Sequence, residues 1–389
     1  MPETFDVVVI GAGILGASAA YHLARGGAKR VLVLEKSTIA AGGTGKSAAI
    51  VRQHYSNPVL VRMARDSVDM FAAMKEELGA DGGYEAAGWC FPTSPEMLEG
   101  TKKNLALQAE MGVESRLLTP EEAREFIPDM NIEGLAGVAY ETRGGYADPV
   151  QSTEAYIAAF RKLGGEFRAK TPARGLIREG DRITGVKTDA GDIAAGTVVN
   201  AAGPWSSTLA QSAGIELPLV VYREQDTVWQ ARPGRPVPTV AISSVADAIY
   251  LRPTGKGRFI IGRGFPKDYE ECDPDSYRRE ADDWFIAEVQ KRAEYRLPPL
   301  AGMKLVTAYA AFYDVTPDWY PIVGPRKDVA GYVDACGGSG HGFKIAPAMG
   351  RALAASILDG APGEDMIALS HDRFAEGRAF IQAYGGNRG

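Results

Sequence analysis

Cysteine is scarce: Cys90, Cys272 and Cys336 are far apart and have no C-x-x-C spacing. An odd, scattered set of this kind supports neither a disulfide framework nor a metal knuckle, so no metal is expected, and it fits a reducing cytoplasm. An excess of positive charge is missing too. The formal net charge is -6, from 49 acidic against 43 basic side chains, which gives no field to gather nucleic acid or anionic lipid. No stretch reaches the roughly 18 uninterrupted apolar residues of a membrane span. The first apolar run has no basic leader and is broken by Gly11, Gly13 and Gly16, so it reads as a strand and not as a signal peptide. Repeats and low-complexity tracts are lacking. These absences point to a cytoplasmic protein with small-molecule partners.

What is present is a long, apolar-rich chain of 389 residues, 45% hydrophobic. That exceeds the ~250–300 residues at which single cores usually divide, so two domains are expected. Residues Phe5–Ile10 form a β-branched run, Ile14–Arg25 have helical spacing, and Arg30–Leu34 form a second apolar run ended by Glu35. This order is a βαβ unit with parallel strands. Pro58–Leu78 and Ser152–Leu163 read as helices, and Gly175–Val186 and Asp192–Asn200 as β-rich runs. From Leu217 to Ala311 the pattern is strand-rich around a helical interruption at Pro274–Arg292. Pro321–Leu358 gives a strand pair, a Gly-rich turn and a helix from about Pro347.

The segment Gly11-Ala12-Gly13-Ile14-Leu15-Gly16 lies after a strand and opens a helix, where a dinucleotide fingerprint must sit. Gly11 permits the tight turn, Gly13 the approach of backbone to a pyrophosphate, and Gly16 close helix–strand packing. The helix N-terminus offers N–H groups and partial positive charge to the phosphates. Glu35, 19 residues after Gly16, can accept bonds from ribose hydroxyls. A tight turn without a ligand is the competing reading.

Two further segments decide which dinucleotide is bound. Asn200-Ala201-Ala202-Gly203-Pro204-Trp205 ends a strand with small residues, and Gly337-Gly338-Ser339-Gly340-His341-Gly342-Phe343-Lys344 precedes a helix. The competing reading of the first is a structural strand-to-helix turn, and of the second a flexible Gly loop. Taken in order with the fingerprint, they resemble the D-amino acid oxidase superfamily of FAD-dependent oxidoreductases, and within it the sarcosine oxidase and dimethylglycine dehydrogenase branch. The resemblance runs from about Phe5 to Leu358, and its most specific parts are Gly337–Lys344 and Tyr313–Asp318.

The resemblance implies an α/β fold, α+β overall, with a Rossmann-like FAD-binding domain (1–85, 140–216 and 320–389) interleaved with an antiparallel-sheet substrate domain (86–139 and 217–319). It implies that FAD contacts Gly11, Gly13, Ile14, Leu15, Gly16, Glu35, Lys36, Thr44, Gly45, Lys46, Ser47, Ala202, Gly203, Trp205, Gly338, Gly340, His341, Gly342, Phe343 and Lys344. The Gly337–Lys344 turn would aim N–H groups and a helix N-terminus at negative charge developing on the flavin pyrimidine ring. Arg52 and Lys344 fall where relatives hold a substrate carboxylate, which suits a guanidinium fork and an ammonium. Tyr313 matches an active-site tyrosine. Taken alone, Arg52 reads equally as a surface or phosphate-binding arginine, Lys344 as a solvated lysine and Tyr313 as an aromatic core residue. His341 and His54 are candidate proton carriers, with a loop-structural role favoured for His341.

The expected reaction is oxidation of the C–N bond of a small amino acid or N-methyl amine by hydride transfer, giving an imine that hydrolyses. Oxygen or another electron acceptor and a homo- or hetero-oligomeric state stay open. The alternatives are a dehydrogenase subunit passing electrons to a protein or quinone, and a flavin-binding module without turnover. A domain of this fold that modifies a nucleic acid base lacks the basic surface it needs. Departures from the family pattern are specific. Ala311 replaces a cysteine that attaches FAD, and Thr44-Gly45-Lys46-Ser47-Ala48 lacks an attaching histidine, so FAD is expected to be noncovalent. Ile260 stands where an oxygen-activating lysine would be, and Leu251 and Gly264 replace polar pocket groups.

Overall fold

The run Glu3–Ile10 carries Val7, Val8 and Val9 in succession, all buried, as a strand covered on both faces requires. In the computed structural model, which describes residues 3–381, this strand is central to an eight-stranded sheet. It pairs in parallel with Val31–Leu34 on one side and Gly191–Asn200 on the other. Helix Ile14–Arg25 makes the crossover between the first two strands. The sheet extends through Glu166–Arg168 beyond Val31–Leu34, and through Tyr332–Cys336 and Ile322–Pro325 beyond Gly191–Asn200. Helices Ile14–Arg25, Pro149–Lys162 and Gly342–Leu358 contribute to one apolar core, which also takes in Val7, Val9, Val31 and Val33.

A nine-stranded sheet forms the other layer. Its order is Glu270–Glu271, Val220–Gln230, Arg258–Arg263, Ile249–Pro253, Ala241–Ser244, Trp89–Thr93, Gly137–Glu141 and Ser115–Leu118, with Lys304–Val315 also paired to Val220–Gln230. All its pairings are antiparallel except Ala241–Ser244 with Trp89–Thr93. Helix Asp283–Arg296 covers this sheet through Phe285, Val289 and Ala293. The mixed α/β class and the pairing of a Rossmann-like sheet with a largely antiparallel one agree with the sequence. Positions 1–2 and 382–389 of the expected domain segments lie outside the described residues.

Three expected helices shift. Pro58–Leu78 is two helices, Pro58–Ala72 and Met74–Leu78, because Ala73 flattens to ψ 0°. The helix within Pro274–Arg292 starts only at Asp283, since Asp282 is extended and its N–H is held by Gln225 Oε1 at 2.7 Å. The last helix begins at Gly342, five residues before Pro347, so that proline lies inside it.

Candidate active site

The fingerprint turn is built by contacts that leave no room for a side chain. Gly11 has φ 108°, and a Cβ there would lie 2.3 Å from the carbonyl oxygen of Ala201; a Cβ on Gly16 would lie 2.1 Å from the carbonyl oxygen of Gly11. The first helical turn is therefore pressed against its own strand and against the Asn200–Trp205 segment. Glu35 ends the next strand, and its carboxylate accepts from the N–H groups of Ala12 (2.9 Å) and Ser37 (2.7 Å). Thr44 Oγ1 accepts from the N–H of Ile14 at 3.2 Å, tying Thr44–Lys46 to the same helix end.

A cavity of about 910 Å³ begins at this turn and runs between the two sheets. Gly11, Gly13, Ile14, Leu15, Gly16, Glu35, Lys36, Thr44, Lys46, Ser47, Ala202, Gly203 and Trp205 line one part of it. Arg52, Tyr313, Gly338, Gly340, Gly342, Phe343 and Lys344 line another. Four segments distant in sequence thus share one space. At its rim Lys36 Nζ sits 3.3 Å from the centroid of the Trp205 ring, while Asp275 Oδ1 accepts from Trp205 Nε1 at 2.8 Å. Gly45 and His341 lie behind the lining. The N–H of Gly45 bonds to Ala40 O at 2.9 Å, where a Cβ would be 2.5 Å from that oxygen.

Arg52 is 4% exposed and follows the short strand Ile50–Val51. It donates to the carbonyl of His54, and its guanidinium carbon is 4.8 Å from the Tyr55 ring centroid. A chain of buried polar groups pins this loop. Glu141 accepts from Gln53 N–H at 2.7 Å and Gln108 Nε2 at 2.6 Å, Gln108 Oε1 lies 3.2 Å from His54 Nδ1, and His54 Nε2 lies 3.2 Å from Asn104 Nδ2. Burial raises Glu141 to about 7, against those donors and Arg52. Burial and then Arg52 lower His54 to about 3, so its ring is neutral at pH 7. Neither Glu141 nor Gln108 was visible in the sequence as a site residue, because both sit outside any motif.

Lys344 lies in the first turn of helix Gly342–Leu358 and is 6% exposed. Burial, then the charge of Arg52, hold its ammonium well below the usual lysine range. The turn before it is strained: Gly337, Ser339 and Gly340 all have positive φ, and a Cβ on Gly340 would be 2.6 Å from Cε2 of Tyr313. Asp314 Oδ2 accepts from the N–H of Gly337 at 2.7 Å and of Gly338 at 3.3 Å, which fixes the turn. His341 Nε2 is 2.6 Å from the carbonyl oxygen of Trp319, which can only accept, and Nδ1 is 3.2 Å from the Tyr55 hydroxyl. Burial, then Lys344, lower this ring to about 3. With both nitrogens engaged and the ring neutral at pH 7, His341 has the geometry of a loop-positioning residue.

The second sheet contributes a wall absent from the sequence reading. Glu224 and Asp226, at alternating positions of strand Val220–Gln230, both line the cavity with Tyr250 and Lys267. Tyr250, not Leu251, lines this wall, and Leu251 is in the sheet's core with Ile261. Ile260 is 9% exposed and Gly264 lines the cavity. Strand alternation is the signal that would have found Tyr250.

Comparison with known proteins bears on this geometry. The family described as FAD dependent oxidoreductase (DAO) matches residues 6–356. The crystal structure of L-proline dehydrogenase from P. horikoshii is 31% identical, with a TM-score of 0.89, covering 97% of this chain and 99% of that one. Glycine oxidase from Geobacillus kaustophilus is 22% identical, with a TM-score of 0.82 over 95% of this chain and 98% of that one, a likeness of fold. Among curated proteins, 4-methylaminobutanoate oxidase (formaldehyde-forming) of Paenarthrobacter nicotinovorans is 27% identical over 96% of this chain, and human mitochondrial dimethylglycine dehydrogenase 28% over 95%. The chain spans 46% and 44% of those two proteins' lengths. No helix among the described residues is long and apolar enough to cross a membrane.

Proposed function

Because the chain belongs to the FAD dependent oxidoreductase family, we propose that it oxidises the C–N bond of a small amino acid or N-methyl amino acid, with noncovalent FAD in the cavity between its two sheets. One observation carries this reading: the fingerprint turn, the Gly-rich turn and two buried cationic side chains, Arg52 and Lys344, line a single space of about 910 Å³.

The residues present fit the cofactor. A Cβ at Gly11 or Gly16 would strike the carbonyl oxygen of Ala201 or of Gly11, so only glycine lets this turn close tightly behind Gly13, the position suited to a pyrophosphate. Ala17 N–H bonds to Gly13 O at 2.9 Å, and the amides before it have no carbonyl partner within the helix. Glu35 keeps lone pairs for ribose hydroxyls beyond its two backbone bonds. In this reading Lys36 and Trp205 flank the adenosine end, Thr44–Ser47 with Ala202 and Gly203 hold the middle, and Gly338–Phe343 meet the ring. Bound FAD supplies an acceptor for the hydride and its two electrons.

The chain's own part is orientation and polarisation. Arg52 and Lys344 clamp the substrate carboxylate in a water-poor wall, where charge-assisted bonds are strong. Tyr313 shapes the pocket beside the Gly-rich turn. His341 and Tyr55 keep that turn in place. Relatives named for dimethylglycine, L-proline and 4-methylaminobutanoate agree with a small carboxylate-bearing amine. A protein or quinone is proposed as acceptor beside oxygen, because Ile260, which the family resemblance sets where an oxygen-activating lysine would be, is a buried aliphatic residue.

Anaerobic addition of glycine, sarcosine, dimethylglycine, L-proline and D-amino acids to the yellow holoenzyme tests the reading. Bleaching of the visible flavin band by at least one supports it, and slow recolouring in air would favour the non-oxygen acceptor. If the flavin stays oxidised with all of them, the reaction is wrong and a binding module without turnover remains.

A further inference from the structure

The reaction proposed above uses Arg52 and Lys344 for one end of a substrate and leaves another wall of the cavity unexplained. That wall contains two carboxylates. Glu224 and Asp226 are each 4% exposed, both line the cavity, and they stand two residues apart on one face of strand Val220–Gln230. Buried carboxylates are costly unless paired. Lys267 pairs with Glu224 Oε2 and also donates to Arg263 O at 3.0 Å. The other oxygen, Glu224 Oε1, is buried and has no hydrogen-bond partner among the described residues. Asp226 Oδ1 accepts from the Tyr250 hydroxyl at 2.8 Å.

The neighbouring guanidiniums are directed to backbone. Arg252 donates to Ala48 O and Pro253 O, and Arg263 to Ala248 O and Pro266 O. Among the described residues Glu224 is ion-paired with Lys267 and Asp226 with no cation, so a buried acceptor of this wall, Glu224 Oε1, goes unfilled. Burial accordingly raises both groups, Asp226 to about 7, against the charge of Lys267. A cationic ligand would oppose that rise.

We infer that Glu224 and Asp226 are the seat of the substrate's positively charged nitrogen, so the pocket selects zwitterionic amino compounds over carboxylates of the same shape. Glu224 Oε1 takes an N–H of the ammonium, and Asp226, oriented by Tyr250, supplies the second acceptor. The inference rests on the proposed amino-compound substrate and assigns the residues that recognise its nitrogen. Gly262 belongs to the device: a Cβ there would lie 2.6 Å from Asp226 Oδ1, so only glycine leaves room for the carboxylate.

The test compares amino acids with isosteres in which the nitrogen is a carbon: glycine against propanoate, sarcosine against butanoate, L-proline against cyclopentanecarboxylate. Binding to the anaerobic holoenzyme is read from the perturbed flavin spectrum. For the best-bound pair, wild type should prefer the amino acid at least tenfold, and Glu224→Gln and Asp226→Asn should cut that preference to about twofold while binding the isostere as wild type does. An equal preference in variants and wild type overturns the inference, as does wild-type binding of none of the amino acids. Should the variants bind neither ligand, wild type decides, a preference under threefold overturning the inference and one of tenfold or more supporting it. Flavin that is reduced without such a preference sinks this inference and spares the reaction. A strong preference without reduction does the opposite.

Discussion

The Tyr250 hydroxyl donates to Asp226 Oδ1 at 2.8 Å across the bare face of Gly262, where a Cβ would sit 2.3 Å from the phenol oxygen. Because burial raises Asp226 from 3.8 to about 7, the folded protein holds a proton there that the unfolded chain releases near pH 4. The stability this proton gives is complete below pH 4 and is lost as pH rises through 7. Asp226→Asn keeps an acceptor for Tyr250 and cannot titrate. Its Tm in ligand-free protein, relative to wild type, should therefore increase between pH 5 and pH 8, and a pH-independent difference would show that Asp226 is ionised throughout.

Arg52→Ala should weaken substrate capture far more than FAD binding. Loss of hydrogen bonds to a buried charge costs about 1.5–3 kcal/mol, so kcat/KM should fall by about 10- to 100-fold while FAD content stays near wild type. An unchanged kcat/KM removes Arg52 from the site.

Lys344 is held well below the usual lysine range by burial and by Arg52. A bound carboxylate favours the charged form and raises that value, so between the free and bound values binding must take up a proton. Calorimetry of an unreactive carboxylate in buffers of different ionisation enthalpy should show net uptake, with affinity weakening as pH rises. Lys344→Met should abolish the uptake.

Gly16→Ala places a Cβ 2.1 Å from the Gly11 carbonyl oxygen, a backbone atom that cannot rotate away. Overpacking of this kind costs about 1–3 kcal/mol, or roughly 1–4 °C in Tm for a chain of this length. The variant should also be purified with less FAD.

FAD should leave the protein on acid precipitation. Ala311 and the Thr44–Ala48 segment carry neither a cysteine nor a histidine for attachment. Flavin should appear in the supernatant, and a pellet that stays yellow after washing would contradict noncovalent binding.

The first strand, its Gly-rich turn and Glu35 were legible because glycine spacing reports backbone geometry directly. The helix Ile14–Arg25 has the bounds its apolar spacing indicated. The carboxylate wall was not legible, for a physical reason. In strand Val220–Gln230 both faces carry polar residues and both are buried: Arg223 and Gln225 meet Asp282 at 3.0 Å on one side, and Glu224 and Asp226 face the cavity on the other. A hydropathy pattern reads such a stretch as solvated. Glu141 and Gln108 escaped notice similarly, since partners 33 residues apart in sequence leave no local spacing to detect.

The central position of strand Glu3–Ile10 has a consequence for synthesis. Its neighbour Val31–Leu34 emerges soon after it, but Gly191–Asn200 does so much later, and helix Gly342–Leu358, which shares the core with Ile14–Arg25, later still. Strand Glu3–Ile10 must wait on the ribosome with one edge bare, a template for wrong pairing. The native sheet should therefore form only once these later segments have emerged, and depend on chaperones in that interval.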